Sequence, residues 1–220
     1  MSTLRLYSYW RSSAAYRVRI ALNLKQLPHE VVPVDLLKDG GEQHSEAYRR
    51  LNPQGLVPLL LHGSRAIGQS LAIIEYLDET WPDRPLLPTT VRERARVRAL
   101  AQAIACDIHP LNNLRVLRFF KDEWQVPQSE RDGWVEHWIR TGFATLETLL
   151  AESPSTGVFC EGERPGLADC CLVPQVYNAR RFNVDLAAFP TIARIDAACR
   201  ARPEFDAARP ERQIDAPDPA

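Results

Sequence analysis

LRLYSY over residues 4–9 alternates apolar and polar side chains, the period of a half-buried strand. From Ser12 the period changes: Val18, Ala21 and Leu22 recur at helical spacing, which predicts a helix opening at Ser12–Ser13 and stopping before Pro28. EVVPVDL (30–36) is β-rich, and Pro33 inside it makes it an edge strand. SEAYRRL (45–51) predicts a short helix. VPLLL (57–61) and RAI (65–67) flank HGS (62–64) as a hairpin with Gly63 in the turn. Ser70 is the expected N-cap of LAIIEYLDET, where Ile73, Ile74 and Leu77 share a face. The order β-α-β-α-β-β-α predicts a small α/β domain over residues 1–82.

WPDRPLLP (81–88) is rich in proline and predicts a linker at 83–90. Beyond it the pattern is helical throughout. Val97, Leu100, Ala101, Ile104 and Ile108 form one stripe; Val135, Trp138, Ile139, Leu146, Leu149 and Leu150 form another. Pro110 is expected to end or kink the first helix, and Pro174 to bend one starting near Gly166. An all-helical domain over 91–210 and a loose polar tail over 211–220 complete the reading.

Charge and composition narrow the function. With 220 residues, a net charge of −1, 45% apolar and 25% charged residues, the chain has the make-up of a globular protein without bulk attraction to nucleic acid or membrane. RERARVR (92–98) then reads as a solvated helix face. MSTLRLYSYW lacks the apolar core of a signal peptide, and no apolar run is long enough to span a bilayer. The five cysteines lack CxxC spacing, which argues against a zinc site or a disulfide scaffold and fits a reducing cytoplasm. Cys170–Cys171 read as core fill.

Several positions carry a structural and a chemical reading side by side. Ser12–Ser13 at a helix start can simply cap it, or can join the free N–H groups in holding an anion such as a thiolate. Gln69–Ser70 poses the same choice for a small carboxylate. Val57–Pro58 is either a strand-entry proline or, if cis, a bend that frees backbone groups for an extended ligand. His109 reads first as an interior histidine. Arg11, Arg115 and the pair Arg180–Arg181 are surface residues or bidentate forks for carboxylates.

Together these pieces resemble the glutathione transferase superfamily, most closely its zeta class, the maleylacetoacetate isomerase family. SSAAYRVRIAL (12–22) looks like the zeta signature. LNPQGLVP (51–58), QSLAIIEYL (69–77), CDIHPLNNLRVL (106–117), LADCCLVPQVYNARRF (167–182) and VDLAAFPTI (184–192) follow in order, so the resemblance covers residues 3–205. It implies a thioredoxin-like glutathione domain, a helical substrate domain, a homodimer, and glutathione as cofactor. Ser12 would activate the thiol with Ser13 as neighbour and Arg11 beside them. Gln69 and Ser70 would hold the γ-glutamyl end, Val57 with Pro58 the cysteinyl backbone and Gln43 the glycyl end. His109 and Asn113 would line the same cleft. The implied reaction is isomerisation of maleylacetoacetate to fumarylacetoacetate in aromatic amino acid breakdown, by reversible conjugate addition of the thiolate. Arg11, Arg115 and Arg181, with Arg180 a weaker candidate, would hold the carboxylates of this small dianion. Ala14 stands where the family has cysteine, which excludes any mechanism needing a protein thiol there. Gly166 stands where a later core helix of the superfamily often starts with Ser or Thr, and a glycine cap should still let that helix form. Isomerisation of maleylpyruvate, general transferase activity and a non-catalytic glutathione-binding role are the alternatives.

Overall fold

In the computed structural model, which describes residues 3–218, strand β1 (Leu4–Ser8) buries Leu4, Leu6 and Ser8 on one face. Helix α1 (Ser13–Leu24) is buried along its whole middle, Ala15 to Leu22, including Arg17 and Arg19. Then follow β2 (His29–Pro33), α2 (Glu46–Leu51), β3 (Leu59–His62), β4 (Arg65–Gly68) and α3 (Ser70–Thr80), in the order the periodicity predicts. The strands lie in the order β2-β1-β3-β4. β1 runs parallel to β2, with Ser8 opposite Pro33, and antiparallel to β3, with Tyr7 opposite Leu59. β2 is an edge strand, where a proline without an N–H is tolerated. Gly63 makes the β3–β4 turn at φ +61°.

One cap differs from expectation. Gln69, not Ser70, occupies the N-cap of α3, and Ser70 is the first helical residue. The serine hydroxyl accepts from the Arg17 guanidinium (Nη1 to Oγ, 3.2 Å), so it serves a neighbouring helix rather than its own.

The chain divides into two units, one running up to Leu86 and resuming at Ala201, the other spanning Leu87–Arg200. The second is helical: α4 (Val91–Gln102), a π-helical stretch (Ala103–Ile108), a 3-10 turn (His109–Asn112), α5 (Leu114–Asp122), α6 (Gln128–Ala151), α7 (Leu167–Arg181) and α8 (Pro190–Arg200). The stripe from Val97 to Ile108 is buried throughout. On α6, Val135, Ile139, Phe143, Leu146 and Leu150 are buried, whereas Leu149 is 49% exposed. At about 100° per residue those five fall within roughly 80° of one another, and Trp138 and Leu149 project outside that arc. α7 continues through Pro174 to Arg181. Cys170 and Cys171 on it are fully buried, as core fill requires.

Asp169 holds the start of α7. Gly166 is the N-cap, and Asp169 compensates for its missing side chain by accepting from the Gly166 N–H (2.8 Å) and the Cys160 N–H (2.9 Å). Burial raises the carboxyl pKa above its ordinary 3.8, outweighing those two bonds. The folded chain therefore keeps this proton more tightly than the unfolded chain. The stabilisation is full below the ordinary value and is lost as pH rises through the raised one. Asp169→Asn removes the titration. Urea unfolding should show the stability difference moving in the variant's favour between about pH 3 and about pH 7.

The segment after Ala201 corrects two expectations, that 201–210 closes the helical domain and that the tail is loose. α9 (Pro203–Ala207) packs on α1. Asn23 donates to the Glu204 carbonyl (2.9 Å), Arg19 to the Ala208 carbonyl (3.0 Å), and the Trp10 N–H to Asp215 Oδ2 (2.8 Å). Pro219 and Ala220 of the expected tail, and Met1 and Ser2 of the first domain, lie outside the described residues. Among the described residues no helix is long and apolar enough to cross a membrane.

Candidate active site

Strand direction alone gathers the first unit's candidate residues. β4 is antiparallel to β3, which is antiparallel to β1, so β1 and β4 run the same way. α1 leaves from the carboxyl end of β1 and α3 from the carboxyl end of β4. β3 enters at that same end, where Leu59 pairs with both Tyr7 and Gly68. Ser12, Pro58 and Gln69 therefore belong to one edge of the sheet, with two helix N-termini and their unpaired N–H groups.

At the first terminus, the Ser12 N–H closes a turn on the Tyr9 carbonyl (3.0 Å), and Ser12 Oγ accepts from the Ala15 N–H (3.2 Å). The capping reading of Ser12 is thus correct, and it does not exclude the chemical one. An oxygen that accepts from Ala15 still has its hydroxyl proton to donate. Arg11 to Ala14 are all part-exposed, and the Arg11 guanidinium lies 5.1 Å from the centroid of the Trp10 ring.

At the second terminus Gln69 holds φ +65° and ψ 115°, a strained setting for a residue with a Cβ. Its amide Nε2 donates to Gln54 Oε1 (3.0 Å). Arg17, one turn beyond Ser13 on α1, reaches the Ser70 hydroxyl and so links the two helix starts. Because Ser70 Oγ is the acceptor there, its own proton is left for a ligand.

Between them, the 52–58 loop is braced from within. The Leu56 carbonyl accepts from Tyr48 Oη (2.6 Å) and Asn52 Nδ2 (2.8 Å). Burial pushes the Tyr48 phenol up to about 12, so it remains a donor. Val57–Pro58 is cis. Gly55 sits at φ +61°, with the Gln43 carbonyl 3.1 Å from where a Cβ would stand. Gln43 is buried; its Nε2 meets His44 Nε2 (3.1 Å) while its Oε1 has no partner. Arg17, Tyr48, Asn52 and Gln54 were not singled out from sequence, and only Arg17, a cation one turn into an apolar helix, left a signal there.

The second unit carries the remaining candidates. His109, half-buried, opens the 3-10 turn. Asn113 caps α5, its Oδ1 accepting from the Arg115 N–H (3.1 Å), and the Arg115 side chain is exposed. The interior amide is instead Asn112, which donates to the Ile108 carbonyl (3.0 Å) and accepts from Asn178 (3.0 Å). Arg180 pairs with the fully buried Asp196 (Nη2 to Oδ2, 2.6 Å), which also binds Arg200 (3.0 Å). One nitrogen of Arg180 is thereby engaged by a protein carboxylate. Arg181 lies over the Phe182 ring, 4.7 Å from its centroid.

Residues 6–85 match the family model for the glutathione S-transferase N-terminal domain. A probable maleylacetoacetate isomerase of Vibrio cholerae is 52% identical over 216 residues, covering 98% of this chain and all of that protein. A solved maleyl pyruvate isomerase, described as a bacterial glutathione S-transferase of the zeta class, is 46% identical with a TM-score of 0.94, covering 97% of this chain and all of that one. The chain belongs to the zeta-class glutathione transferases. A maleylacetoacetate isomerase of Methylobacterium extorquens, solved with malonate and glutathione, is 43% identical with a TM-score of 0.93, covering 97% and 99% of the two chains. The zeta-class likeness extends over both units, so the thioredoxin-like α/β domain and the helical domain are shared together.

Proposed function

We propose that this zeta-class chain is a glutathione-dependent cis–trans isomerase of a small maleyl dianion, with maleylacetoacetate as its substrate. The observation that carries the reading is the meeting, at one sheet edge, of two helix N-termini, the Ser12 and Ser70 hydroxyls and the strained Gln69. These groups fit glutathione: the termini and hydroxyls favour its anionic ends, and the orphaned Gln43 Oε1 is a seat for its glycyl N–H. When bound, glutathione supplies the thiolate whose reversible addition lowers the order of the maleyl double bond.

Ser12 donates its hydroxyl proton to the sulfur, and the N-terminus of α1 with Ser13 lowers the cost of the negative charge. Ser70 and Gln69 hold the γ-glutamyl carboxylate and amine. The Val57 backbone, beside Pro58, pairs with the cysteinyl portion. His109 and Asn113 are the helical unit's candidates for ligand binding, and Asn113 retains its amide N–H groups as donors. Arg11 binds a substrate carboxylate, and Arg115 and Arg181 are the helical unit's candidates for the same chemistry. The working form is a homodimer.

Maleylpyruvate is the second reading, supported by the 46% identity and 0.94 TM-score to a maleyl pyruvate isomerase. The assay is the loss of maleyl ultraviolet absorbance, for each substrate, with and without glutathione. Maleylacetoacetate should be consumed with the higher kcat/KM, and only when glutathione is present, since Ala14 leaves no thiol in the signature. Faster turnover of maleylpyruvate would exchange the two readings. Equal conversion without glutathione would end both.

A further inference from the structure

We propose that Asp215, in the carboxy-terminal segment, is a positioning residue for Arg11, an inference that rests on the reading of Arg11 as a substrate-carboxylate group. Trp10 and Arg11 are the two corner residues of the turn that the Ser12 N–H closes on the Tyr9 carbonyl. Corner residues of a turn have peptide groups that the turn itself does not satisfy. Here both backbone polar groups of Trp10 are taken from outside. Its N–H donates to Asp215 Oδ2 (2.8 Å), and its carbonyl accepts from Arg19 Nη2 (2.9 Å). Arg19 also donates to the Tyr9 carbonyl (3.3 Å) and the Ala208 carbonyl (3.0 Å), so one buried guanidinium joins the turn to the segment that carries Asp215.

Asp215 is itself held. Gln213 Nε2 donates to the carbonyls of Ala207 (3.1 Å) and Arg209 (2.8 Å), and the Ala216 N–H returns to the Gln213 carbonyl (3.0 Å). The carboxylate therefore reaches Trp10 from a built turn. With its backbone pinned at both ends, Trp10 projects its ring in a fixed Cα–Cβ direction, and the Arg11 guanidinium lies 5.1 Å from the ring's centroid. The contact orders a long, part-exposed side chain before substrate arrives, which lowers the entropy lost when it binds a carboxylate. Asp215 touches no reacting atom in this scheme; it acts through Trp10.

The test compares the full chain with Asp215→Ala, Asp215→Asn, Trp10→Leu and the Asp215→Ala/Trp10→Leu pair. Readouts are KM and kcat for the maleyl substrate, the Kd of glutathione, and the affinity of the glutathione-loaded protein for succinate, a dianion with no alkene to react. Asp215→Ala should raise KM and weaken succinate about tenfold, with kcat and glutathione Kd within about twofold of wild type. Asp215→Asn keeps an oxygen acceptor for the Trp10 N–H and should stay within about threefold of wild type. Trp10→Leu keeps that bond, removes only the ring, and should raise KM similarly; it carries the test if Asp215→Ala does not fold. The double variant should be no worse than either single one, as links in one chain must be. Wild-type KM in Asp215→Ala, an equal loss of glutathione affinity, or effects that multiply in the double variant would each overturn the inference. A wild-type protein that neither isomerises the substrate nor binds succinate would overturn the functional reading first, and the inference with it.

Discussion

Ser12→Ala should lower kcat/KM for the maleyl substrate by about 10²-fold, the order expected when one donor to a developing anion is removed. Its effect on the fold should be far smaller. Ser12 Oγ is a single cap, accepting one bond from Ala15, and losing such a cap costs about 1 kcal/mol, or roughly 2–4 °C in Tm. α1 keeps its buried face from Ala15 to Leu22 in the variant. The two measurements therefore separate the two readings of this serine, which the structure leaves compatible. A pure cap would lose the small stability increment and nearly nothing else. A sulfur donor would lose turnover, and the ultraviolet thiolate band of bound glutathione would emerge at higher pH, because a thiolate that loses its hydrogen-bond donor is a stronger base and keeps its proton to higher pH. Ser13→Ala is the comparison for stability alone, since Ser13 is the first helical residue and the cap bond belongs to Ser12. If Ser12→Ala retains near-full activity, the thiol is activated by Ser13 or by the helix terminus alone.

The elements were legible wherever one period ruled a stretch. Alternation marked β1, the Gly63 turn marked the β3–β4 hairpin, and Pro33 marked an edge strand. The candidate site was legible as far as its helix starts. What escaped was set by partners distant in sequence. Ser70 is a preferred cap by type, yet Arg17, 53 residues earlier, takes its hydroxyl, and Gln69 enters the helix at a positive φ while bonded to the Gln54 amide. No local propensity encodes that. The polar, proline-bearing end of the chain reads as a tail because composition cannot reveal that Asn23, Arg19 and Trp10 claim its acceptors. Arg180 and Arg181 illustrate the same limit. Adjacency on a helix ranks Arg180 below Arg181 without naming a partner for either, and only the packing of α8 against α7 brings buried Asp196 to the first of them.

Asp78→Ala should cost about 3–5 kcal/mol, the largest stability loss expected from a single change in the first unit, and lower Tm by about 10 °C. Lys25, at the end of α1, has a side chain with no exposure, and Asp78, in the last two turns of α3, is 8% exposed. Their contact is 3.0 Å, and the ammonium also donates to the Arg84 carbonyl (2.8 Å). Asp78 Oδ1 accepts in addition from the Leu86 N–H (2.7 Å), so one oxygen ties α1, α3 and the proline-rich exit of the unit. Removing the carboxylate leaves a buried cation with only the Arg84 carbonyl and the Leu86 N–H with no acceptor, and that penalty exceeds the worth of the pair itself. Lys25→Met/Asp78→Leu should therefore recover most of the loss, with the Leu86 N–H and the Arg84 carbonyl, both stripped of their partners, as the remainder. Catalysis in whatever fraction stays folded should be unchanged, because neither residue belongs to the helix starts that carry Ser12 and Gln69. A measured loss below about 1 kcal/mol would place the pair among ordinary surface contacts, and the buried-charge argument would be wrong.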